Sequence, residues 1–123
     1  MEALSKENAR LLLTIGFAAC AKGKVAQGRK LFENMHIAYP EASAVIVGLA
    51  FSHIVVDDFA EGERLLNEVI KLGDEDQDAL ALLAFSKALQ KKEDEVQDIV
   101  AQISKEHTSA YSLAKEALKL VTK

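Results

Sequence analysis

The chain has 123 residues, half of them hydrophobic and just over a quarter charged, with one proline, one cysteine and no tryptophan; this is the balance of a globular chain long enough to bury a core. Its net charge of −4 argues against bulk attraction to nucleic acid, and a single cysteine rules out an internal disulfide and fits a reducing compartment. The start, Met1 to Lys6, lacks the basic-then-apolar layout of a secretory signal, and no apolar run approaches the ~18–20 residues that span a bilayer.

In chain order, the first predicted element is a helix capped by Ser5 and running to about Ala21. Leu11, Leu12, Leu13, Ile15, Phe17 and Ala18 make it apolar on more than one face, so neighbours are expected on both sides. Lys22, Gly23 and Lys24 form a turn in which Gly23 supplies a positive φ. A second helix from about Val25 to His36 is stopped by Tyr39 and Pro40. The third spans about Glu41 to Val55. Its β-branched end, Ile54, Val55 and Val56, favours a strand locally, but its place in the pattern described next argues for helix. Asp58 with Glu61 three residues later reads as a capping box for a fourth helix to about Leu72. Asp74 with Gln77 reads as another, opening a fifth helix to about Gln90. A sixth runs from about Glu93 to Ser104, and a seventh from Ala110 to Val121.

Phe17, Phe51 and Phe85 are evenly spaced by thirty-four residues, and each follows a small residue, Gly16, Ala50 and Ala84, that follows a large aliphatic one, Ile15, Leu49 and Leu83. The second helices keep the same register: Gly28, Leu31, Phe32 and Met35, then Gly62, Leu65, Leu66 and Val69, then Val96, Ile99, Val100 and Ile103. This period and layout resemble the tetratricopeptide repeat, a helix–turn–helix unit. The first repeat fits best, with Gly16, Phe32 and Pro40 in place. It departs from the pattern at Ala19, where the repeat has tyrosine, and at Gly28, where it has alanine. The third repeat departs furthest, with Lys87 for the tyrosine and Thr108 for the proline. The expected fold is all-α: one tetratricopeptide-like α-solenoid over residues 1–123, with repeats at about 9–42, 43–76 and 77–110 and a capping helix at about 109–122. Such arrays need a terminal cap, because the last repeat otherwise exposes its inner face.

Catalytic signals are absent. His36, His53 and His107 have no metal-ligand spacing, and the chain has no phosphate-binding glycine loop and no nucleophile elbow. Cys20 lies three residues from Phe17 with no histidine placed to activate it. No enzyme, cofactor or metal is expected. Nine acidic residues against two basic ones lie between Asp57 and Asp78, and six basic against two acidic lie between Met1 and Lys30. Such runs are ordinarily solvated faces and helix caps; the other reading is that they steer a partner or favour head-to-tail self-association.

In a stacked superhelix the first helix of each repeat lines the concave side. Its positions outside the packing pattern are Leu13, Phe17 and Cys20, then Val47, Phe51 and Ile54, then Ala81, Phe85 and Ala88. They form an apolar strip, which is either ordinary core covered by the C-terminal helix or the N-terminal segment, or a groove suited to an amphipathic helix anchored at i, i+3, i+4 and i+7.

A closer resemblance rests on Leu31-Phe32-Glu33-Asn34-Met35, Tyr39-Pro40-Glu41-Ala42, Val47-Gly48-Leu49-Ala50 and the run from Phe59 to Leu66. These stretches are similar to the tetratricopeptide chaperones of bacterial type III secretion, in the class that guards the needle subunit. The resemblance implies a bacterial cytoplasmic chaperone. Its groove would hold the helix of a secreted needle subunit and prevent premature polymerisation, beside a small co-chaperone. Two other readings stay open: a scaffold or adaptor in a cytoplasmic complex, and a homodimer whose groove is filled by its own copy.

Overall fold

The computed structural model describes residues 6–72, 77–103 and 108–121. They form α1 (Lys6–Ala21), α2 (Val25–Ala38), α3 (Ser43–Ile54), α4 (Phe59–Lys71), α5 (Gln77–Leu89), α6 (Glu93–Val100) and α7 (Thr108–Val121). Among the described residues there is no strand, and the fold is the expected all-α helical repeat with a seventh helix after the third hairpin. The Ile54-Val55-Val56 run ends a helix rather than forming a strand. α6 stops at Val100, four residues before the expected Ser104, and Ala101 to Ile103 turn away. Asp74, and the helix start read from it, lie outside the described residues.

The repeat is clearest in the turns between paired helices. At the end of α1, Gly23 N–H donates to Cys20 O (3.1 Å) and Lys24 N–H to Ala19 O (2.8 Å). Thirty-four residues on, Asp57 donates to Ile54 (3.0 Å) and Asp58 to His53 (2.9 Å); thirty-four further, Lys91 donates to Ala88 (2.9 Å) and Lys92 to Lys87 (3.0 Å). This paired bonding closes a helix on a left-handed residue, and φ is +88° at Gly23, +65° at Asp57 and +62° at Lys91. The next helix opens at once, with Gly28, Gly62 and Val96 donating to Lys24, Asp58 and Lys92. Only the first turn has the glycine that this backbone favours. A lysine pays a steric penalty in the left-handed region, offset in part because glycine has more freedom to lose on folding. Lys91→Gly is therefore expected to stabilise the protein by about 0.5–1 kcal/mol, and Gly23→Ala to destabilise it by about 1 kcal/mol. Urea midpoints of the two variants should move in opposite directions.

The chain divides into two compact units, Met1–Gly62 and Glu63–Lys123, with the boundary inside α4. In the first, α2 packs on α1 and α3, and α1 also meets α3. Phe32 is the centre: its side chain is fully buried, in a slot between two glycines. A Cβ added at Gly16 of α1 would lie 2.5 Å from the Phe32 ring, and so would one at Gly48 of α3. Two helices thus approach a third closely enough to enclose a whole aromatic ring.

The closest approach within a hairpin recurs at the repeat period. Gly28 faces Cys20, and a Cβ on the glycine would sit 2.5 Å from the sulfur; Gly62 faces Ile54 in the same way at 2.6 Å. In the third hairpin the sizes are exchanged, with Ala88 at the Cys20 position and Val96 at the Gly28 position, both buried. The large residue has moved to the other helix, which keeps the filled volume similar. In the second unit, α5 packs on α6 and α7, and α6 on α7. Ala114 and Ala117 of α7 are fully buried, as expected of the small residues where a closing helix seats.

Candidate functional site

The nine apolar positions expected to form one strip differ in exposure. Cys20 and Ile54 are buried inside their hairpins, against Gly28 and Gly62, and Ala88 is buried too. Val47 and Ala81 are buried as well. Leu13, Phe17, Phe51 and Phe85 stay half-exposed. The phenylalanine position is thus the one of the three that keeps a solvent-facing surface in every repeat.

Within the first unit, the Phe17 and Phe51 rings lie with centroids 5.4 Å apart at an interplanar angle of 45°. Phe17 also meets Phe32 edge to face, at 5.2 Å and 67°. These are attractive arrangements for aromatic quadrupoles. The buried Phe32 ring therefore braces Phe17, and Phe17 braces Phe51, giving a firm two-ring surface bordered by α1 and α3. Phe85 lies on α5 in the second unit.

A second repeated constellation is polar. In the first unit, Arg29 Nε donates to Ser52 Oγ (3.0 Å) and Arg29 Nη2 to Ser52 O (2.8 Å), while Ser52 Oγ donates to Leu49 O (2.6 Å). Thirty-four residues on, Ser86 Oγ donates to Glu63 Oε2 (2.7 Å), joined by Gln90 Nε2 (2.6 Å). Lys87 Nζ closes the cluster, 2.9 Å from Glu63 and 3.3 Å from Glu95. The repeat thus keeps a serine on the first helix and exchanges its charged partner from arginine to glutamate. Sequence reasoning treated Lys87 only as a lost tyrosine. The available signal was a serine within each of two apolar runs, thirty-four residues apart, each twenty-three residues after a charge.

Burial would push the Glu63 carboxyl up. The hydrogen bonds from Ser86, Lys87 and Gln90, with the Lys87 charge, outweigh it and hold the carboxyl below its ordinary range. Lys87 is the mirror case: burial would lower it, but Glu63 first and Glu95 second raise it. These are structural charges, compensated by one another. Burial likewise pushes the Cys20 thiol up, against the opposing Arg29 charge, which leaves it less of a nucleophile than a free cysteine.

His53 Nδ1 lies 3.1 Å from Asp58 Oδ2, across the turn between α3 and α4. His107 lies outside the described residues. Among the described residues, no three His, Cys, Asp or Glu side chains gather as a metal ion would require. None of the helices there is long and apolar enough to cross a membrane. A shallow hollow of about 360 Å³ at Ala38 to Ala42 is separate from the phenylalanine surface.

These features define a class: a helical-hairpin repeat whose buried polar groups join one helix to the next and whose recurrent half-exposed positions are aromatic. More narrowly, the chain belongs to the coatomer epsilon subunit family, whose family model matches residues 11–119. No curated protein and no solved structure matches it.

The family corrects the resemblance to type III secretion chaperones. Coatomer is a eukaryotic vesicle coat, so the chaperone role, the secreted needle subunit, its co-chaperone and the bacterial setting are all withdrawn. The residues from Leu31 to Leu66 that carried the resemblance include those any such hairpin needs: Phe32, Ala50 and Leu66 are fully buried, and Gly48 frames Phe32. Packing positions of a shared repeat do not separate one family of repeats from another. Of the readings the sequence left open, the helical scaffold agrees with the family better than the chaperone does.

Proposed function

We propose that the chain is a non-catalytic scaffold subunit of a vesicle coat, acting in the cytosol of a eukaryotic cell and holding helical segments of partner coat proteins. The observation that carries this reading, beside the family, is the recurrence of a half-exposed phenylalanine in each repeat while the apolar residue three positions later is buried in all three. Aromatic residues on a rigid support concentrate binding energy, and Phe17 with Phe51 forms such a pair, with Leu13 beside it on α1. Phe85 offers a second contact on α5. A partner helix would place an apolar stripe on the Phe17–Phe51 pair.

The test is recovery of the other coat subunits with the tagged chain from eukaryotic cells, followed by affinity measurement with the purified partner. Phe51→Ala is expected to weaken binding by about 2 kcal/mol, roughly thirtyfold. Phe85→Ala should also weaken it. If no coat subunit is recovered, the coat reading fails. If coat subunits bind both variants as tightly as the parent, the phenylalanine surface is not the contact.

A further inference from the structure

The face of α1 opposite Phe17 is apolar and open. Leu11 is 59% exposed and Ile15 49%, with Thr14 and Ala18 exposed between and beyond them. Thr14 Oγ1 donates to Arg10 O (2.9 Å), which satisfies its donor within the helix. Glu7 and Lys22 flank the stripe. By the 3.6-residue period, Leu11, Thr14, Ile15 and Ala18 lie on the side of α1 away from Leu13 and Phe17.

The repeat itself shows what covers such a face. The equivalents of Leu11, Ile15 and Ala18 are Val45, Leu49 and Ser52 in α3, and Ala79, Leu83 and Ser86 in α5; all six are buried. On α3 the cover is the preceding helix α2: Phe32 lies against Gly48 and Arg29 against Ser52. On α5 the preceding helix supplies Glu63 to Ser86. The contacts run 29 with 52 and 32 with 48, so the covering helix is antiparallel to the helix it covers.

We infer that the Leu11–Ile15–Ala18 face of α1 docks an antiparallel amphipathic helix of another protein, seated on α1 as α2 is seated on α3. Its chemistry follows from the substitutions along the repeat. Ala18 stands where Ser52 accepts a hydrogen bond from Arg29, so the facing residue is apolar rather than arginine. Thr14 stands where Gly48 admits the Phe32 ring, so the residue facing it, three positions later, is smaller than phenylalanine. Antiparallel seating places the partner's first turn near Lys22 and its last turn near Glu7. An acidic start and a basic end fit there, in accord with the helix dipole.

A second copy of this chain is a poorer occupant. Each of its second helices already covers a following helix: α2 lies on α3, Glu63 of α4 bonds α5, and α6 lies on α7. The inference stands apart from the coat reading, because its face is on the other side of α1 from Phe17 and either can fail alone.

The probe is a stapled helical peptide of residues 25–38 carrying Arg29→Leu and Phe32→Leu, titrated into the full ¹⁵N-labelled chain. Saturable shifts confined to Leu11, Thr14, Ile15 and Ala18 are expected. Binding should be about tenfold or more weaker in Ile15→Asp, and also with the unaltered 25–38 sequence. Absence of saturable shifts, shifts centred on Phe17 and Phe51, or equal binding of the unaltered peptide would each overturn the inference. Sedimentation of the chain alone covers the other occupant: a dimer that Ile15→Asp dissociates would assign the face to a second copy. Leu11→Asp serves as an independent variant, and melting curves of both should match the parent. If both variants unfold, the face is already covered within the chain and the inference fails.

Discussion

Phe32→Ala is expected to destabilise the protein by about 3–5 kcal/mol, close to the whole margin of a domain this size. The ring is fully buried and its slot is built by backbone. Gly16 and Gly48 already lack side chains, so neither offers a group to fill the space. Phe17 also loses its edge-to-face partner at 5.2 Å, and with it the brace under the two-ring surface. The reverse change, Gly48→Ala, should cost about 1–3 kcal/mol by overpacking, because the new methyl meets the ring at 2.5 Å. Phe32→Leu combined with Gly48→Ala should be milder than the sum of Phe32→Leu alone and Gly48→Ala alone, since the smaller side chain makes room for the methyl. Urea unfolding of the four variants measures this coupling. An additive double mutant would mean that the ring and the glycine do not share one slot.

Glu63→Leu is expected to cost about 3 kcal/mol at neutral pH. The Glu63 and Lys87 side chains are only 15% and 16% exposed. Removing the carboxylate leaves Lys87 with Glu95 alone, strips Ser86 Oγ of its acceptor and leaves Gln90 only its bonds to Ser86. Replacing both Glu63 and Lys87 with methionine should cost less than Glu63→Leu, because no uncompensated charge stays buried. The pH dependence has a definite sign. Glu63 is held below its ordinary value of 4.5, so its contribution is present above that pH and is lost as pH falls through the depressed folded value. Lys87 is raised above its ordinary value of 10.5, so its contribution is present below that pH and is lost as pH rises through the raised folded value. The pair therefore stabilises between roughly pH 4.5 and 10.5. Stability measured against pH should fall less steeply below about pH 4.5 in Glu63→Leu than in the parent. An unchanged acid limb would show that Glu63 is not held low.

Much of the fold was legible in the residues. The period of thirty-four, the helix order and the first turn follow from local chemistry: where small and large apolar residues recur, where glycine permits a left-handed φ, and where Pro40 stops a helix. Helix starts at Val25 and Glu93 fall where the sequence places them. α6 was over-extended because Val100 and Ile103 continue the apolar pattern past the last helical turn. The family was not legible from hairpin residues. Leu31, Phe32, Gly48 and Leu66 serve packing, and packing is common to all such repeats.

The sequence by itself determined that Phe17, Cys20 and their equivalents share one side of the first helix in each repeat, because a three-residue step turns an α-helix by less than a full turn. Only the tertiary structure decided which of them are covered. Cys20 and Ile54 are closed off by the second helix of their own hairpins and Ala88 is buried as well, whereas Phe17, Phe51 and Phe85 keep an open edge. Burial belongs to a pair of elements and not to a residue, so two apolar side chains one turn apart read alike until the neighbouring helix is in place. The same reason hid the pairs Arg29 with Ser52 and Glu63 with Ser86, twenty-three residues apart. It also hid the difference between Leu11, which is open, and Val45, its equivalent under α2, which is not.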